Sequence, residues 1–475
     1  MGVEISAKKL TKSKQRISPY NSIKCMAANI PIFLNNNVRW DYFLMVLFSI
    51  GLYSGLSSQV TAQDKKPNKP LVYYLNDDQS HFIKLSGYAQ VWARHTELNP
   101  GSKINESQVS NVSDLSLRRF RLKLTVAPVD KLTLVFQGGT TNLTYVDDEE
   151  SSFDLLDAYG EYKFSEQFTI GAGRSSWKGL TRFASGPSAT LLYDVPFISL
   201  ANVNKTDLTL RNLNIFAKGQ FGRLDYRVIL AKTYVPAPEN PVEGISSFNN
   251  LNVKPNISSY FKWQFFEKES SNPTSAGSYL GNKKVLALGV GMEYQKDLLW
   301  NLNAADTVLN DMKLFSADIF FDTPLNKSKG TSFNVYAAAF LHDYGPNYVR
   351  NLGINNIANG VDAETRSFNG SGNAYPVVGT GKSFYLQSGF SLPYFNQQSK
   401  KTRLMPAFGF QYSRFDRLAD PMITYDLGLS LLLNGHASKF VFNAQSRPVY
   451  SMQANELRVA DRKMMFVLMY HINFD

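Results

Sequence analysis

The sequence predicts an all-β fold, a transmembrane antiparallel β-barrel of about 16 strands with short turns at one end and long loops at the other. Three observations carry this prediction: apolar and polar residues alternate from Phe82 onward, the alternating runs are long, and tight connections alternate with long ones. Alternation gives each run one apolar and one polar face. A tilted membrane-crossing strand needs about 9 to 11 residues, whereas strands of soluble sheets cluster near 5 to 6.

The composition disfavours a helical membrane protein and cysteine chemistry. Mean hydropathy is −0.23, and the one long apolar run is 42–56, whereas each membrane-crossing helix needs about 20 apolar residues. Cys25 is the only cysteine, and it precedes that run. We therefore expect no disulfide framework, no thiolate metal site and no cysteine nucleophile in the exported chain.

The N-terminal region has the features of a secretory signal. Arg39 precedes the apolar core, and the small residues near Ala62 fit cleavage by signal peptidase after that residue. We predict three parts: 1–62 as an N-terminal extension with the signal peptide, 63–80 as a short periplasmic lead, and 81–475 as the barrel. The lead is too short for a plug domain, which disfavours a gated receptor.

The charge of the chain is moderately basic. Cleavage after Ala62 lowers the formal net charge from +11 to +6, because seven Lys or Arg and two Asp or Glu lie in the removed part. The remaining excess is spread along the chain. It argues against nucleic-acid binding and is compatible with a mild preference for anions in a pore.

Sixteen runs have the length and alternation expected of strands. An even number returns the chain to the side where it began, so both termini are expected in the periplasm. The runs are 81–95, 114–127, 131–141, 154–164, 167–175, 206–218, 222–234, 257–267, 283–295, 311–323, 331–343, 382–392, 402–415, 424–434, 438–447 and 460–474. The connection at 268–282 is long for a periplasmic turn and that at 416–423 is short for an extracellular loop, so counts of fourteen or eighteen stay open.

Aromatic residues on the apolar faces fit the girdles of a barrel in lipid. Phe261, Trp263 and Phe265 share one face of a predicted strand. The alternative is the aromatic core of a secreted soluble β-protein. The last strand, 464–475, alternates up to Phe474 and resembles the C-terminal strand that the barrel-insertion machinery reads, although here the aromatic residue is penultimate.

Two pairs of neighbouring runs resemble a bacterial porin family. The runs 115–122 (LSLRRFRL) and 132–139 (LTLVFQGG) resemble the early hairpin of the phosphate-selective porin O and P family. The runs 157–164 (DAYGEYKF) and 168–174 (FTIGAGR) resemble the piece that follows it. The resemblance implies a trimeric, sixteen-stranded barrel in outer-membrane lipid, whose third long loop folds inward and narrows the pore. The family includes members that carry solutes other than phosphate.

The third long connection, 176–205, is the candidate constriction. Basic side chains there and at the preceding strand end are opposed within the connection only by Asp194, and basic rings favour anions. The selectivity candidates are Arg174, Lys178, Arg182 and Lys205. The lumen-wall candidates are Arg119, Arg121, Lys123, Asp157 and Glu161. Opposed basic and acidic walls fit a general porin and an anion channel equally well.

The expected function is passive diffusion of small hydrophilic solutes, with anions such as phosphate as the finer expectation. The sequence carries no metal, cofactor or catalytic motif, and His342 and Asp343 are adjacent strand residues that point to opposite faces. The second hypothesis is a surface adhesin or anchor with an occluded lumen. Four tyrosines on the lumen face make it conceivable: Tyr88, Tyr159, Tyr260 and Tyr336. A barrel enzyme comes third, and the polar segment 343–381 is expected to be a mobile external loop.

Overall fold

Sixteen antiparallel strands form one sheet that closes on itself. The computed structural model describes residues 71–146, 152–183, 189–200, 210–232, 237–251 and 254–474. Closure follows because the first long strand pairs with the second on one edge and with the last on the other. The predicted fold class and the count of sixteen are confirmed, and each predicted run overlaps one strand, with bounds that differ by several residues in places.

The barrel strands are numbered here in chain order. They are β1 (Phe82–Glu97), β2 (Asn111–Val129), β3 (Leu132–Thr144), β4 (Asp154–Lys163), β5 (Thr169–Ser175), β6 (Asn212–Phe221), β7 (Leu224–Ala231), β8 (Asn256–Gln264), β9 (Val285–Asn303), β10 (Asp306–Asn326), β11 (Thr331–Asp343), β12 (Gly381–Ser391), β13 (Arg403–Phe415), β14 (Met422–Asn434), β15 (Ser438–Gln453) and β16 (Glu456–Phe474). Short strands lie at Val72–Tyr74, Ser102–Ile104, Ser107–Gln108, Ser247–Phe248, Val349–Leu352, Gly360–Val361 and Tyr375–Gly379, and one 3₁₀ turn lies at Phe197–Ser199.

In the part of the chain that the structure describes, no helix combines the length and the apolar character needed to cross a membrane.

The two faces of the barrel wall have opposite character. On β8 the side chains of Phe261 and Trp263 are 40% and 46% exposed on the outer face, whereas Tyr260 and Lys262 are buried on the inner face. A soluble protein buries its apolar face and exposes its charges. This wall does the reverse, which is the arrangement of a barrel whose outside contacts lipid.

The two ends of the barrel differ in their connections. We name the end where β1 begins the turn end and the opposite end the loop end. Two predicted loops at the loop end are instead continuous hairpins, closed by the pairs 304–305 and 454–455. The four turn residues have φ between 48° and 72°, as in the tight turns that match the twist of paired strands. A strand that extends beyond the membrane needs no apolar face. The alternation of apolar and polar residues is therefore lost near these two turns, although the backbone pairing continues up to them.

The first described residues complete the seam of the barrel. Residues 72–74 pair with the start of β1, below the point where Phe474 of β16 pairs with Gly87. This pairing covers backbone groups of β1 that β16 is too short to reach. The predicted signal sequence and the cleavage after Ala62 lie outside the described residues.

Candidate functional site

The connection between β5 and β6 lies inside the barrel. This connection, 176–211, is called the inner loop and is described at 176–183, 189–200 and 210–211. All of these residues except Ala189 are buried, although connections usually run over protein surfaces. The described part of the inner loop therefore occupies the interior of the barrel.

Glycines let the backbone of the inner loop lie directly against the wall of β8 to β10. A Cβ atom on Gly179 of the inner loop would lie 2.1 Å from the backbone nitrogen of Ser259. A Cβ atom on Gly291 of β9 would lie 1.9 Å from the carbonyl oxygen of Leu180. The hydroxyl of Ser316 donates to the same carbonyl, which fixes the contact. A side chain at either glycine would force the two backbones apart.

Two leucines of the inner loop fill spaces that glycines leave on the opposite wall. A Cβ atom on Gly389 of β12 would lie 2.5 Å from a methyl carbon of Leu191. Leu192 lies 2.7 Å from the corresponding positions on Gly409 of β13 and Gly428 of β14. Both leucines are almost fully buried, so apolar packing anchors the middle of the inner loop to this wall.

Asp194 connects the inner loop to the basic wall of β2. Its carboxylate accepts hydrogen bonds from Arg118 at 3.1 Å and from Arg119 at 2.8 Å, and all three side chains are at most 1% exposed. Arg119 also donates to the amide oxygen of Gln90 at 2.9 Å. Two guanidiniums on one carboxylate form a strong charge-assisted contact.

A β-bulge explains why the sequence did not indicate Arg118. Leu117 pairs with Val91 and Arg119 pairs with Gln90, so the register of the ladder shifts by one residue at Arg118. A bulge interrupts strict alternation and can turn two consecutive side chains to one face. Strict alternation indicated only Arg119. For Arg118, the sign in the sequence is its position next to Arg119.

Arg182 connects the inner loop to a second inward-folded segment, 265–284, called the turn-end segment. Its guanidinium donates to Glu269 of that segment and, at 2.7 Å, to the carbonyl oxygen of Ala276. It also lies 3.6 Å from the ring centre of Phe320. Lys262 of β8 approaches the same Glu269 carboxylate at 3.0 Å. The connection that was too long for a simple turn therefore enters the lumen and packs against the inner loop.

The charge of Glu269 holds this contact together. Burial alone would raise the pKa of the Glu269 carboxyl, but Arg182 and Lys262 lower it from 4.5 to about 2. A carboxyl whose pKa is lowered by folding contributes stability above its ordinary pKa and loses it as the pH falls through the folded value. The contact is therefore stable at pH 5 and above, and it weakens only between about pH 4.5 and 2.

Replacing Glu269 with glutamine should release the turn-end segment at neutral pH, because two buried cations lose the carboxylate between them. The cost of breaking such a buried pair is about 3 to 5 kcal/mol. The measurement is thiol labelling of a cysteine at Ser275, which is buried, in a chain with Cys25 replaced by serine. Glu267→Gln, a change at an exposed position of the same segment, is the matched control. Equal protection of the cysteine in both variants would contradict the role of Glu269.

The other predicted site residues have different surroundings. Lys178 is buried in the inner loop, where burial lowers the pKa of its ammonium against a smaller opposing effect of Glu293. Arg174 pairs in register with Leu213, whose side chain is 63% exposed on the outer face, and its place at the constriction stays a prediction. The alternation of β5 predicts where the strand ends, but it does not show which face of the barrel the Arg174 side chain takes. Lys205 lies outside the described residues.

The predicted wall residues face the lumen. Asp157 pairs with Arg211 of the inner loop at 3.1 Å, and Glu161 pairs with Lys218 of β6 at 2.9 Å. Arg121 donates to the hydroxyl of Thr141 at 2.8 Å, whereas Lys123 is only half-buried, closer to the turn end. The charged wall therefore contacts the inner loop at two places. Asp157 pairs with Arg211, and Arg119 pairs with Asp194.

The segment 343–381 is folded rather than mobile, which corrects the expectation from its composition. Asn355 donates to the hydroxyl of Ser116 on β2, and Asn373 donates to the carbonyl oxygen of Ile354. Asparagine side chains here bind backbone and wall groups that would otherwise be unpaired. The segment therefore covers part of the loop end instead of extending into solvent.

Three further observations concern the predicted catalytic pair, metal binding and the tyrosines of the lumen. His342 is buried and Asp343 is exposed, so the two lie on opposite faces as expected from their adjacency. Among the described residues no group of three or more His, Cys, Asp or Glu could hold a metal ion. Tyr260 and Tyr336 are buried on the lumen side, and Tyr260 donates to Asp318 at 2.8 Å.

No protein-family model and no curated protein matches the sequence. Among solved structures the chain is similar to the outer membrane channel DcaP of Acinetobacter baumannii, with 10% sequence identity, coverage of 84% of this chain and 99% of that chain, and a TM-score of 0.46. It is also similar to an anion-selective porin from Comamonas acidovorans, with 12% identity, coverage of 82% and 99%, and a TM-score of 0.45. A third is OprB of Pseudomonas putida, with 8% identity, coverage of 82% and 94%, and a TM-score of 0.47.

Proposed function

We propose that this chain is an outer-membrane porin, a passive channel for small hydrophilic solutes. The observation that carries the proposal is the inner loop, which lies inside a barrel with an apolar outer face and a charged inner face. A closed barrel satisfies its backbone hydrogen bonds internally, as a wall in lipid must. The inner loop lies between Arg119 on a basic wall and Asp318 on an acidic wall, where small changes in its position alter the width and field of the pore.

We further propose a preference for anions, such as phosphate. Among the described residues thirteen Lys and Arg are buried against nine Asp and Glu, and the barrel wall and inward-folded segments carry this excess. Lys178, Arg182 and the Arg118–Arg119 pair are the proposed selectivity residues, and Lys205 stays a candidate. An excess of positive charge in a lumen raises the local concentration of anions.

The proposal includes export and assembly. The features near Ala62 support a signal peptide, and the alternating β16 supports recognition by the barrel-insertion machinery. We propose a homotrimer in outer-membrane lipid on the resemblance to the phosphate-selective porin O and P family. Cross-linking of the detergent-extracted protein tests the trimer independently of transport.

The channel proposal predicts stepwise conductance. Refolded residues 63–475 in a planar bilayer should give discrete current steps, and a salt gradient should displace the reversal potential toward that of the anion. Phosphate should reduce the chloride current if phosphate occupies the same constriction. A folded barrel that gives no current at any voltage or pH contradicts the channel, and cation-selective current contradicts the anion preference alone.

A second candidate is an adhesin or anchor with an occluded lumen. The burial of Trp92, Tyr260 and Tyr336 on the inner face favours it, because bulky side chains fill space that a solute would need. The inner loop, the turn-end segment and the segment 343–381 add to this filling. A barrel that stays impermeable after removal of the inner loop would support the anchor, whereas current after its removal would support a channel that the inner loop narrows.

A further inference from the structure

One histidine at the turn end contacts both inward-folded segments, directly or through one lysine. His436 lies in the turn between β14 and β15, partly exposed. Its Nε2 atom lies 2.9 Å from the carbonyl oxygen of Ser278 in the turn-end segment. Its Nδ1 atom lies 3.4 Å from the ammonium of Lys439. That ammonium lies 2.8 Å from the carbonyl oxygen of Thr190 in the inner loop.

These contacts require one protonation state of the ring. A carbonyl oxygen only accepts, so Nε2 must carry the hydrogen that it donates to Ser278. In its ammonium form Lys439 only donates, and Nδ1 is then the unprotonated acceptor toward it. The neutral ring with its hydrogen on Nε2 satisfies both contacts, and the doubly protonated ring satisfies only the first.

The charged surroundings oppose a second proton on this ring. The charged or titratable groups that act on His436 are Lys439 of β15, His471 of β16 and Arg403 of β13, and none of them is a carboxylate. Asp322 of β10 acts on the same place only through Ser278, whose hydroxyl donates to it at 3.0 Å. Protonation of Nδ1 would therefore replace a hydrogen bond with a like-charge contact.

We propose that His436 and Lys439 form an acid-sensitive latch, which holds the inner loop and the turn-end segment together in the lumen and releases them when His436 is protonated. The latch rests on the proposed channel, since its release is what would widen the pore. Because His436 is partly exposed at the turn end, the pH on that side of the barrel would set the position of the inner loop. A proton arriving from that side breaks the contact to Lys439, and the repelled ammonium then leaves Thr190.

The sign of the pH dependence follows from the two states of the ring. Burial and, after it, Lys439 hold the pKa of His436 well below its ordinary value of 6.5 while the latch is closed. In the open state the ring is hydrated and its pKa returns toward 6.5. The open state therefore binds the proton more strongly, and acid favours it. For one proton the shift is at most about tenfold for each pH unit below 6.5.

The test compares His436→Gln with the unmodified chain. A glutamine amide can still donate to Ser278 and accept from Lys439, but it does not titrate in this range. His81→Gln is the matched control, because His81 is a histidine at the turn end that pairs with Asp130 and has no hydrogen bond to the described residues of either inward-folded segment. All variants are prepared as the exported barrel, residues 63–475, which has no cysteine of its own.

The first readout is labelling of a cysteine at Thr190, which is buried in the closed state. Its rate is divided by that of a cysteine at the exposed Ser399, so that the effect of pH on the thiol itself cancels. The expected result is a rise of about tenfold in this ratio between pH 7 and pH 5, with no rise in His436→Gln and an undiminished rise in His81→Gln. The second readout is the open probability in planar bilayers over the same range.

The outcomes separate the latch from the channel. An undiminished rise in His436→Gln would overturn the latch, and a rise abolished only by His471→Gln would assign the titration to the neighbouring histidine instead. A His436-dependent rise in labelling without current at any pH would retain the latch and contradict the channel. Current that does not depend on pH, with labelling that does not change with pH, would retain the channel and contradict the latch.

Discussion

Replacement of Asp194 with asparagine is expected to raise the single-channel conductance severalfold and to increase anion selectivity. The carboxylate of Asp194 joins both Arg118 and Arg119 to the inner loop, and all three side chains are buried. Removing one partner of a buried ion pair costs about 3 to 5 kcal/mol. Since a tenfold change in an equilibrium corresponds to about 1.4 kcal/mol, the docked inner loop loses much of its preference for the wall of β2.

Selectivity changes for a separate reason. Asp194 opposes the basic side chains of the constriction, so its neutralisation leaves a more positive field where solutes pass. The measurements are current steps and the reversal potential in a salt gradient. Asp306→Asn, at an exposed position next to the hairpin tip of β9 and β10, is the matched control and should behave as the unmodified chain.

A double-mutant cycle shows whether the ion pair is the cause. Arg118→Gln alone should also weaken docking, and the combined Arg118→Gln and Asp194→Asn variant should be affected less than the sum of the two. Additive effects on conductance would mean that Asp194 acts through another group. Unchanged conductance in Asp194→Asn, from a barrel that still resists heat and detergent, would show that the inner loop does not control the pore.

The barrel could be predicted from sequence because each strand carries the same local constraint. Lipid on one side and polar surroundings on the other impose alternation over nine or more residues, and β8 shows it in Phe261 and Trp263 against Tyr260 and Lys262. The constraint ends where the strands leave the membrane. The outer parts of β9 and β10 were therefore missed, although their backbone pairing is continuous up to the turn at Ala304.

The candidate site was only partly predictable because its contacts join distant parts of the chain. Arg119, Arg182 and the inner loop were indicated by charge, alternation and loop length. The partner of Arg182, Glu269, lies 87 residues away, and the inward orientation of Arg118 depends on a bulge that strict alternation does not show. The glycine spaces for Leu192 become visible only when β13 and β14 lie side by side. Spacing in sequence contains none of this geometry.

Replacement of Gly291 with alanine is the second change with a large expected effect, and it acts through shape rather than charge. The new Cβ atom would lie 1.9 Å from the carbonyl oxygen of Leu180, a distance at which the inner loop must move. The strand itself tolerates the change, because Gly291 pairs in register with Tyr260 and Ser316 through backbone groups that alanine retains. The barrel should therefore fold while the inner loop loses its contact with β9.

The expected result is faster proteolysis of the inner loop and higher conductance, with little change in anion selectivity because no charge is altered. Gly160→Ala is the matched control, since a Cβ atom there would meet the side chain of Leu134 at 3.1 Å and the carbonyl oxygen of Thr133 at an ordinary 3.9 Å, and neither belongs to the inner loop. If the inner loop of the Gly291→Ala barrel stays protected from proteolysis, the new Cβ atom has displaced the barrel wall and not the inner loop. In that case the docked position of the inner loop would be set by Asp194 and Arg182, and the two charge variants would have larger effects than this change in shape.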